Sequence, residues 1–218
     1  MEGILFIVVM IGVVVLFMAV SHRQEQRRTE AFRALADELG LEFHAAGNPW
    51  IQEEFGHFRL FCLGRSRRVR NLLIGESRGI HVALFGYRYR TGRGRNSSTH
   101  AQTVFAFRAK DLDLPEFELR PEHLLNKIGQ MMGYQDIDFD SHPKFSSHYI
   151  VRGKDEDAVR AFLTPDRLDF LESEEGVSIE AVGDRIVFYR AGIRIRPDEL
   201  RSFMDEGFRV YAALKSSD

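Results

Sequence analysis

Apolar residues run without interruption from Gly3 to Val20, and this stretch contains no charged or strongly polar side chain. A helix rises about 1.5 Å per residue, so the stretch would be about 27 Å long, close to the hydrocarbon thickness of a bilayer. A buried helix of a globular domain would carry a polar face, and a cleaved secretory signal needs a basic start and a small-x-small exit. We therefore predict a transmembrane helix at residues 3–20.

The residues flanking this stretch predict its orientation. Arg23, Arg27 and Arg28 follow it, whereas only Glu2 precedes it. Because an excess of basic residues marks the cytoplasmic side, we expect a single-pass protein of the cell (inner) membrane, with its N-terminus outside and residues 21–218 in the cytoplasm. The single cysteine, Cys62, cannot form an intramolecular disulfide, which agrees with a reducing compartment.

Helical periodicity continues beyond the apolar stretch and returns in the second half of the chain. Phe32, Leu35 and Leu39 form a stripe that predicts a juxtamembrane helix at 21–40, and Gly40 supplies its end. Further helices are predicted at Asp155–Leu163 and from three prolines that are each followed by an acidic residue, a typical helix start: Pro121, Pro165 and Pro197. The helix from Pro121 would bury Leu124, Leu125, Ile128 and Met132 and end at Gly133.

Short apolar runs and alternating runs predict strands between these helices. They lie at Leu41–Phe43, 58–62, Asn71–Glu76, Ile80–Arg90, Thr103–Ala109, Asp136–Asp140, His148–Arg152, Val177–Val182 and Arg185–Tyr189. The alternation within Ile80–Arg90 changes phase beside Gly86, as a β-bulge would produce. Together these patterns predict an α+β fold: a single N-terminal transmembrane helix, then a mainly antiparallel sheet domain with packed helices at 41–218, with lobes at 41–110 and 111–218 as a possible division.

The charges are distributed unevenly along the 218 residues. Residues 1–58 contain four Lys and Arg against eight Asp and Glu, residues 59–110 contain twelve against one, and residues 111–218 contain fourteen against twenty-three. Hydrophobic residues make up 44 % of the chain, which indicates a folded core around this charge pattern.

The basic segment supplies the candidate functional residues. We predict that Arg88 and Arg90 share one face of a strand, and that two flanking loops bring further arginines to the same end of the sheet. Guanidinium groups bind phosphate and carboxylate groups bidentately, so the segment predicts an anion-binding surface. The alternative is internal pairing with the acidic residues of 111–218. The candidates are Arg65, Arg67, Arg68, Arg70, Arg88, Arg90, Arg93 and Arg95.

Other chemistry has little support in the sequence. The loop Thr91–Thr99 is rich in glycine but leads into a strand, unlike a phosphate-binding P-loop. Asp136, Asp138 and Asp140 share a strand face before His142, and we interpret them as a solvated edge rather than a cation site. No metalloprotease or serine-hydrolase motif occurs, and no nucleic-acid-binding motif occurs. We therefore predict no metal, no cofactor, no catalytic residue and no nucleic-acid partner.

One segment has a family resemblance. Asn71-Leu72-Leu73-x-Gly75, followed by Leu84-Phe85-Gly86-Tyr87-x-Tyr89-x-Thr91-Gly92-x-Gly94, resembles a motif of uncharacterised bacterial membrane-anchored proteins. The resemblance covers about residues 30–110. This chain has Gly86 where that motif usually has an acidic residue, and Arg90 where it has threonine. The resemblance implies a bacterial membrane protein and no particular activity.

Three functions remain open from the sequence. We favour a non-enzymatic, membrane-anchored module that is held in the lipid bilayer by residues 3–20 and binds an anionic lipid or a protein through its arginines. The second is a membrane-tethered enzyme acting on a phosphorylated or carboxylated small molecule, with Asp136, Asp138 or a histidine as its acid or base. The third is a structural subunit of a membrane complex.

Overall fold

An eight-stranded antiparallel sheet forms the centre of the molecule in a computed structural model that describes residues 2–123 and 136–215. The strand order is β1-β2-β3-β4-β8-β7-β5-β6, so the strands of residues 41–110 and those of residues 111–218 share one sheet through the pairing of β4 with β8. The strands are β1 (Glu42–Ala46), β2 (Arg65–Ser77), β3 (Ile80–Thr91), β4 (Ser98–Ala109), β5 (Leu114–Pro121), β6 (Tyr149–Gly153), β7 (Ser178–Gly183) and β8 (Arg185–Tyr189).

Helices cover both faces of this sheet. They are α1 (Glu2–Leu39), α2 (Pro49–Phe55), α3 (Arg59–Cys62), α4 (Pro143–His148), α5 (Glu156–Phe162), α6 (Pro165–Ser173) and α7 (Leu200–Leu214). The second half of α1 and the apolar face of α7 contact one face, where Phe32 and Phe203 join Phe105 and Phe107 of β4 in the larger core. The α2–α3 segment covers the other face, where Phe55 and Phe61 pack with Phe85 of β3.

The helix α1 requires a correction of the sequence analysis. It runs unbroken for 38 residues, ends at Gly40 with a φ of +66°, and carries exposed large apolar side chains between Phe6 and Val20. Among the residues that the structure describes, no helix is both long enough and apolar enough to cross a membrane. The transmembrane assignment of residues 3–20 is therefore wrong. The inner-membrane, single-pass localisation and its orientation, which depended on that assignment, are wrong as well.

A buried network of charges attaches the α3 segment to the centre of the sheet. The Glu180 carboxylate on β7 accepts hydrogen bonds from the Leu60 backbone N–H at 3.1 Å and from the Tyr189 hydroxyl at 2.8 Å. It also pairs with Arg120 at 3.2 Å, and Glu118 pairs with Arg59 at 3.4 Å. Burial raises the pKa of the Glu118 carboxyl, against the lowering effect of Arg120, and raises the pKa of Tyr189. The Glu180 carboxylate, which is nearly inaccessible to solvent, is thus compensated by three donors.

The α+β class and the mainly antiparallel sheet with packed helices are confirmed. The strands predicted at Val177–Val182 and Arg185–Tyr189 correspond to β7 and β8, and the helix predicted from Pro197 corresponds to α7. Two strand predictions differ from the structure, because 58–62 contains the short helix α3 and 136–140 is irregular. The arginines at 65–70, which were expected in a loop that flanks the strands, belong to β2. Pro121 ends β5, which was not predicted, and the remainder of the helix expected to reach Gly133 lies outside the described residues.

Candidate functional site

Two bulges in β2 determine where its arginines point. The register with β3 pairs Arg65 with Arg90 and Arg68 with Arg88, so three steps along β2 match two steps along β3. A second shift follows Arg70, which lies opposite Gly86. Ser66 and Asn71 supply the extra residues, with φ of +52° and +51°. The bulge expected beside Gly86 thus lies in β2, while β3 pairs with β4 without a shift, and Arg68 and Arg70 share a face with Arg88.

A cavity of about 310 Å³ lies on this face, between α1 and the strands β2–β4. We call it the arginine pocket. Within residues 2–123 and 136–215, five arginines and a single carboxylate surround it, and the small residues Gly86 and Ala101 leave its floor open. Its charged residues are Glu25 and Arg28 from α1, Arg68 and Arg70 from β2, Arg88 from β3, and Arg194 from the segment after β8.

Arg28 is a fixed part of the pocket wall. Its guanidinium donates to the Ile195 carbonyl and, at 2.8 Å, to the Thr103 hydroxyl, and it lies 5.0 Å from the centre of the Phe32 ring. Burial, together with the nearby charge of Arg194, lowers the pKa of Arg28 to about 10. Arg28 therefore remains a cation at neutral pH, and its position holds α1 against the segment that carries Arg194.

In the part of the chain that the structure describes, Glu25 is the one acidic group of the arginine pocket. Its carboxylate pairs with Arg194 at 2.6 Å. The hydrogen bond from Arg194 lowers the pKa of the Glu25 carboxyl, although partial burial acts in the opposite direction. Glu25 thus stays ionised and neutralises Arg194.

Arg68, Arg70 and Arg88 have no such compensation. Within the described residues, none of them lies within 4 Å of a carboxylate oxygen, and the same holds for the other five predicted arginines. The acidic residues of the C-terminal half pair with other cations, as in Arg190–Glu206 and Arg209–Glu174. In the part of the chain that the structure describes, internal pairing therefore engages Arg59 and Arg108 of the basic segment but not the eight predicted arginines.

The other five predicted arginines lie outside the arginine pocket. Arg65 donates to the Gly92 carbonyl, so the start of β2 and the β3–β4 loop meet as expected. Arg67 folds back onto the carbonyls of Cys62, Leu63 and Gly64. Arg90 lies opposite Thr99 at the end of the sheet, and Arg93 and Arg95 are exposed in the β3–β4 loop.

Three residues of the arginine pocket were not predicted from the sequence: Arg28, Arg194 and Glu25. Arg28 carried a usable signal, because it precedes Phe32 by one helical turn and lies on the stripe that α1 buries. Its basic charge was instead assigned to the flank of a membrane segment. Arg194 had no signal, since its segment reaches the pocket only through the pairing of β8 with β4.

A second cavity, of about 540 Å³, lies beside β2 where the α2–α3 segment covers the sheet. We call it the edge cavity. The Phe61 and Tyr87 rings meet edge-to-face with their centres 4.9 Å apart. The Tyr87 hydroxyl is buried and has no hydrogen-bond partner among the described residues, and burial raises its pKa. The residues lining this cavity are Ala45, Ala46, Gly47, Asn48, Ile51, Gln52, Phe61, Arg67, Arg68, Val69, Arg70 and Tyr87.

The acidic residues considered for catalysis lie elsewhere. Asp136 accepts a hydrogen bond from the Val151 backbone N–H at 3.0 Å, and burial raises the pKa of its carboxyl. His142 lies 3.3 Å from Asp169. Asp136, Asp138 and His142 do not line the arginine pocket, so the structure does not join them to the arginines.

No family model and no curated protein matches the sequence. Among solved structures, the fold is similar to the crystal structure of the mycobacterial trehalose monomycolate transport factor A, TtfA. The similarity has a TM-score of 0.59 and 14 % sequence identity, and it covers 87 % of this chain and 91 % of that chain. At this identity, the fold is what the two proteins have in common.

Proposed function

We propose that this protein is a binding module that holds an anionic group, a phosphate ester or a carboxylate, in the arginine pocket. One observation carries the proposal: Arg68, Arg70 and Arg88 surround a cavity without an acidic partner among the described residues. Guanidinium groups bind such anions through paired, charge-assisted hydrogen bonds. A cavity of about 310 Å³ lies at the lower end of the range for small-molecule sites, so a compact anionic group suits it.

Binding is better supported than catalysis. Among the described residues, Glu25 is the only carboxylate at the arginine pocket, and it is already engaged by Arg194. A general acid or base must lie within hydrogen-bond reach of the reacting group, and the aspartates proposed for that role lie elsewhere.

Isothermal titration of the full chain with inorganic phosphate and with glycerol phosphate tests the proposal. We expect binding that weakens as salt is added, because the attraction is between charges. Replacing Arg68, Arg70 and Arg88 together by glutamine should weaken it about 100-fold or more, since hydrogen bonds to charged groups contribute about 1.5–3 kcal/mol each. The matched control replaces Arg78, Arg93 and Arg95 by glutamine, which removes the same charge outside the pocket.

The control variant should bind like the unmodified protein. Equal weakening by both triple variants would contradict a defined site and indicate only a diffuse basic surface. Flotation with vesicles of phosphatidylglycerol or of phosphatidylcholine distinguishes the source of the anion. Selective binding to the anionic vesicles assigns a lipid headgroup, whereas binding to glycerol phosphate alone assigns a soluble ester.

A further inference from the structure

We propose that the ligand is a single-chain amphiphile, with its anionic head in the arginine pocket and its alkyl chain in the edge cavity. This inference rests on the proposed function, and it extends that function from an anionic group to a class of molecule. Three features of the described residues carry it: the walls that the two cavities share, the end of β1, and the apolar wall of the edge cavity.

The two cavities share part of their walls. Arg68 and Arg70 line both of them, and so does Tyr87. The arginine pocket is lined by Arg28 of α1, on the face of the larger core, whereas the edge cavity is lined by Ile51 of α2, on the opposite face. The strand β2 therefore separates the cavities, and a ligand that enters both must pass around it.

The end of β1 leaves room for such a path. Its last pairing with β2 joins Ala46 to Arg70, and in the described part of the chain no strand pairs with the outer side of β2 from Arg65 to Val69. Because β2 is an edge strand over these residues, no strand blocks the way around its outer edge from one face of the sheet to the other. We call this outer edge the open border. Arg68 and Arg70 lie along this border, so an anion held there keeps the rest of its molecule close to the edge cavity.

The edge cavity adds an apolar wall to the arginines that it shares with the arginine pocket. The charged side chains of the arginine pocket would hold a head group. The wall of the edge cavity includes the apolar side chains of Ala46, Ile51, Phe61 and Val69 together with the Tyr87 ring. Burying a methylene group in such surroundings contributes about 0.8 kcal/mol, so an unbranched chain gains affinity with its length.

A series of alkyl phosphates from methyl to decyl, each kept below its micelle concentration, tests this inference with the full chain. We expect affinity to rise with each added methylene, by up to about fourfold when burial is complete. Ala46→Trp should fill the edge cavity and remove this rise, so that decyl phosphate binds no more tightly than methyl phosphate. The matched control is Ala212→Trp, on the exposed side of α7, which should keep the rise.

The outcomes separate the two proposals. Equal affinities for methyl and decyl phosphate would overturn the amphiphile while leaving the anion site in place. A rise that persists in Ala46→Trp would also overturn it. If neither phosphate binds, the proposed function itself fails. Circular dichroism and a melting curve of Ala46→Trp show whether the variant is folded, and Ala45→Trp provides a second filling of the same cavity.

Discussion

At the scale of single residues, the hydroxyl of Tyr87 has unfavourable surroundings. This hydroxyl is buried beside Phe61 without a described hydrogen-bond partner, and such a group costs about 1–3 kcal/mol of desolvation. Tyr87→Phe keeps the ring and removes the hydroxyl. We therefore expect it to raise the free energy of unfolding by about 1 kcal/mol in urea denaturation.

The matched substitution Tyr189→Phe should act in the opposite direction, because the Tyr189 hydroxyl donates to Glu180 at 2.8 Å. If Tyr87→Phe destabilises the protein as much as Tyr189→Phe does, the Tyr87 hydroxyl has a partner after all.

Glu25 limits how strongly the arginine pocket attracts anions. Glu25→Gln removes its negative charge and releases Arg194 from their 2.6 Å ion pair. One elementary charge about 4 Å away contributes about 1 kcal/mol at the dielectric constant of water, so we expect phosphate affinity to rise about fivefold. Glu30→Gln, an exposed position on the same helix and outside the pocket, should leave the affinity unchanged in the same titration.

The ion pair between Glu25 and Arg194 also predicts that the stability of the protein depends on pH. Because the pKa of Glu25 is lowered in the folded protein, its contribution is present above the unfolded value of about 4.5 and is lost as the pH falls through the folded value. Melting curves below pH 5 should therefore depend less steeply on pH for Glu25→Gln than for the unmodified protein. Parallel curves for the two would show that the ion pair does not contribute.

At the scale of elements, the bulge at Asn71 links the strand β2 to α1. Asn71 has a φ of +51°, and its side-chain oxygen accepts a hydrogen bond from the Thr29 hydroxyl at 3.1 Å. Asn71→Gly keeps the backbone conformation and loses the hydrogen bond, whereas Asn71→Val also strains the backbone, by about 1–2 kcal/mol. We expect valine to destabilise the protein more than glycine by this amount, measured by urea unfolding.

The effect of the two Asn71 substitutions on phosphate affinity should follow the same order as their effect on stability. Arg70 precedes the bulge directly, so Asn71→Val should weaken phosphate binding more than Asn71→Gly does. Equal affinities in the two variants would show that the bulge does not position the arginine.

The sequence predicted well those elements in which the apolar residues recur with one regular spacing or in which a clear turn separates two strands. The helix α7 repeats its apolar residues every three or four positions, and β7 and β8 flank a tight Gly183-Asp184 link. The phase change in β3 was misplaced for a physical reason: the sheet is buried on both faces at Val82–Phe85, so apolar residues on both faces imitate a shift within the strand. The strand β5 was not predicted because prolines lie near its start and at its end, at Pro115 and Pro121.

The site could be predicted only in part. The alternation along β3 gave the direction of Arg88, and the density of basic residues indicated Arg68 and Arg70. Arg194 lies more than one hundred residues further along the chain, and local patterns cannot report a contact formed by the pairing of distant strands. The apolar start of α1 directed attention to membrane insertion and away from the contacts of Arg28 and Glu25.

At the scale of the whole molecule, the Glu180 network joins the α2–α3 segment to the sheet. Glu180→Ala removes the acceptor for Leu60, Arg120 and Tyr189 at once and leaves the buried charge of Arg120 less compensated. Breaking a buried pair in this way costs about 3–5 kcal/mol, and we expect a loss of that size in urea unfolding. Glu175→Ala, an exposed change of the same type, should cost less than about 0.5 kcal/mol.

The destabilisation caused by Glu180→Ala should also affect the edge cavity, because α2 and α3 supply its wall through Ile51 and Phe61. Hydrogen exchange of Glu180→Ala should therefore speed up first at Leu60 and its neighbours. Exchange that speeds up uniformly along the chain would show instead that the segment and the sheet unfold together.

The pairing of β4 with β8 has a consequence for synthesis on the ribosome. When β4 emerges from the ribosome, β5, β6 and β7 must still be translated before β8 exists. The edge of β4 that pairs with β8, from Val104 to Arg108, therefore stays unpaired during that interval. Newly made chains that stop or are cleaved before Arg185 would expose this unpaired edge. Exposed edges of different chains would then pair with one another, and the chains would aggregate. Truncated products ending between Ala109 and Arg185 should therefore collect in the insoluble fraction of the cell.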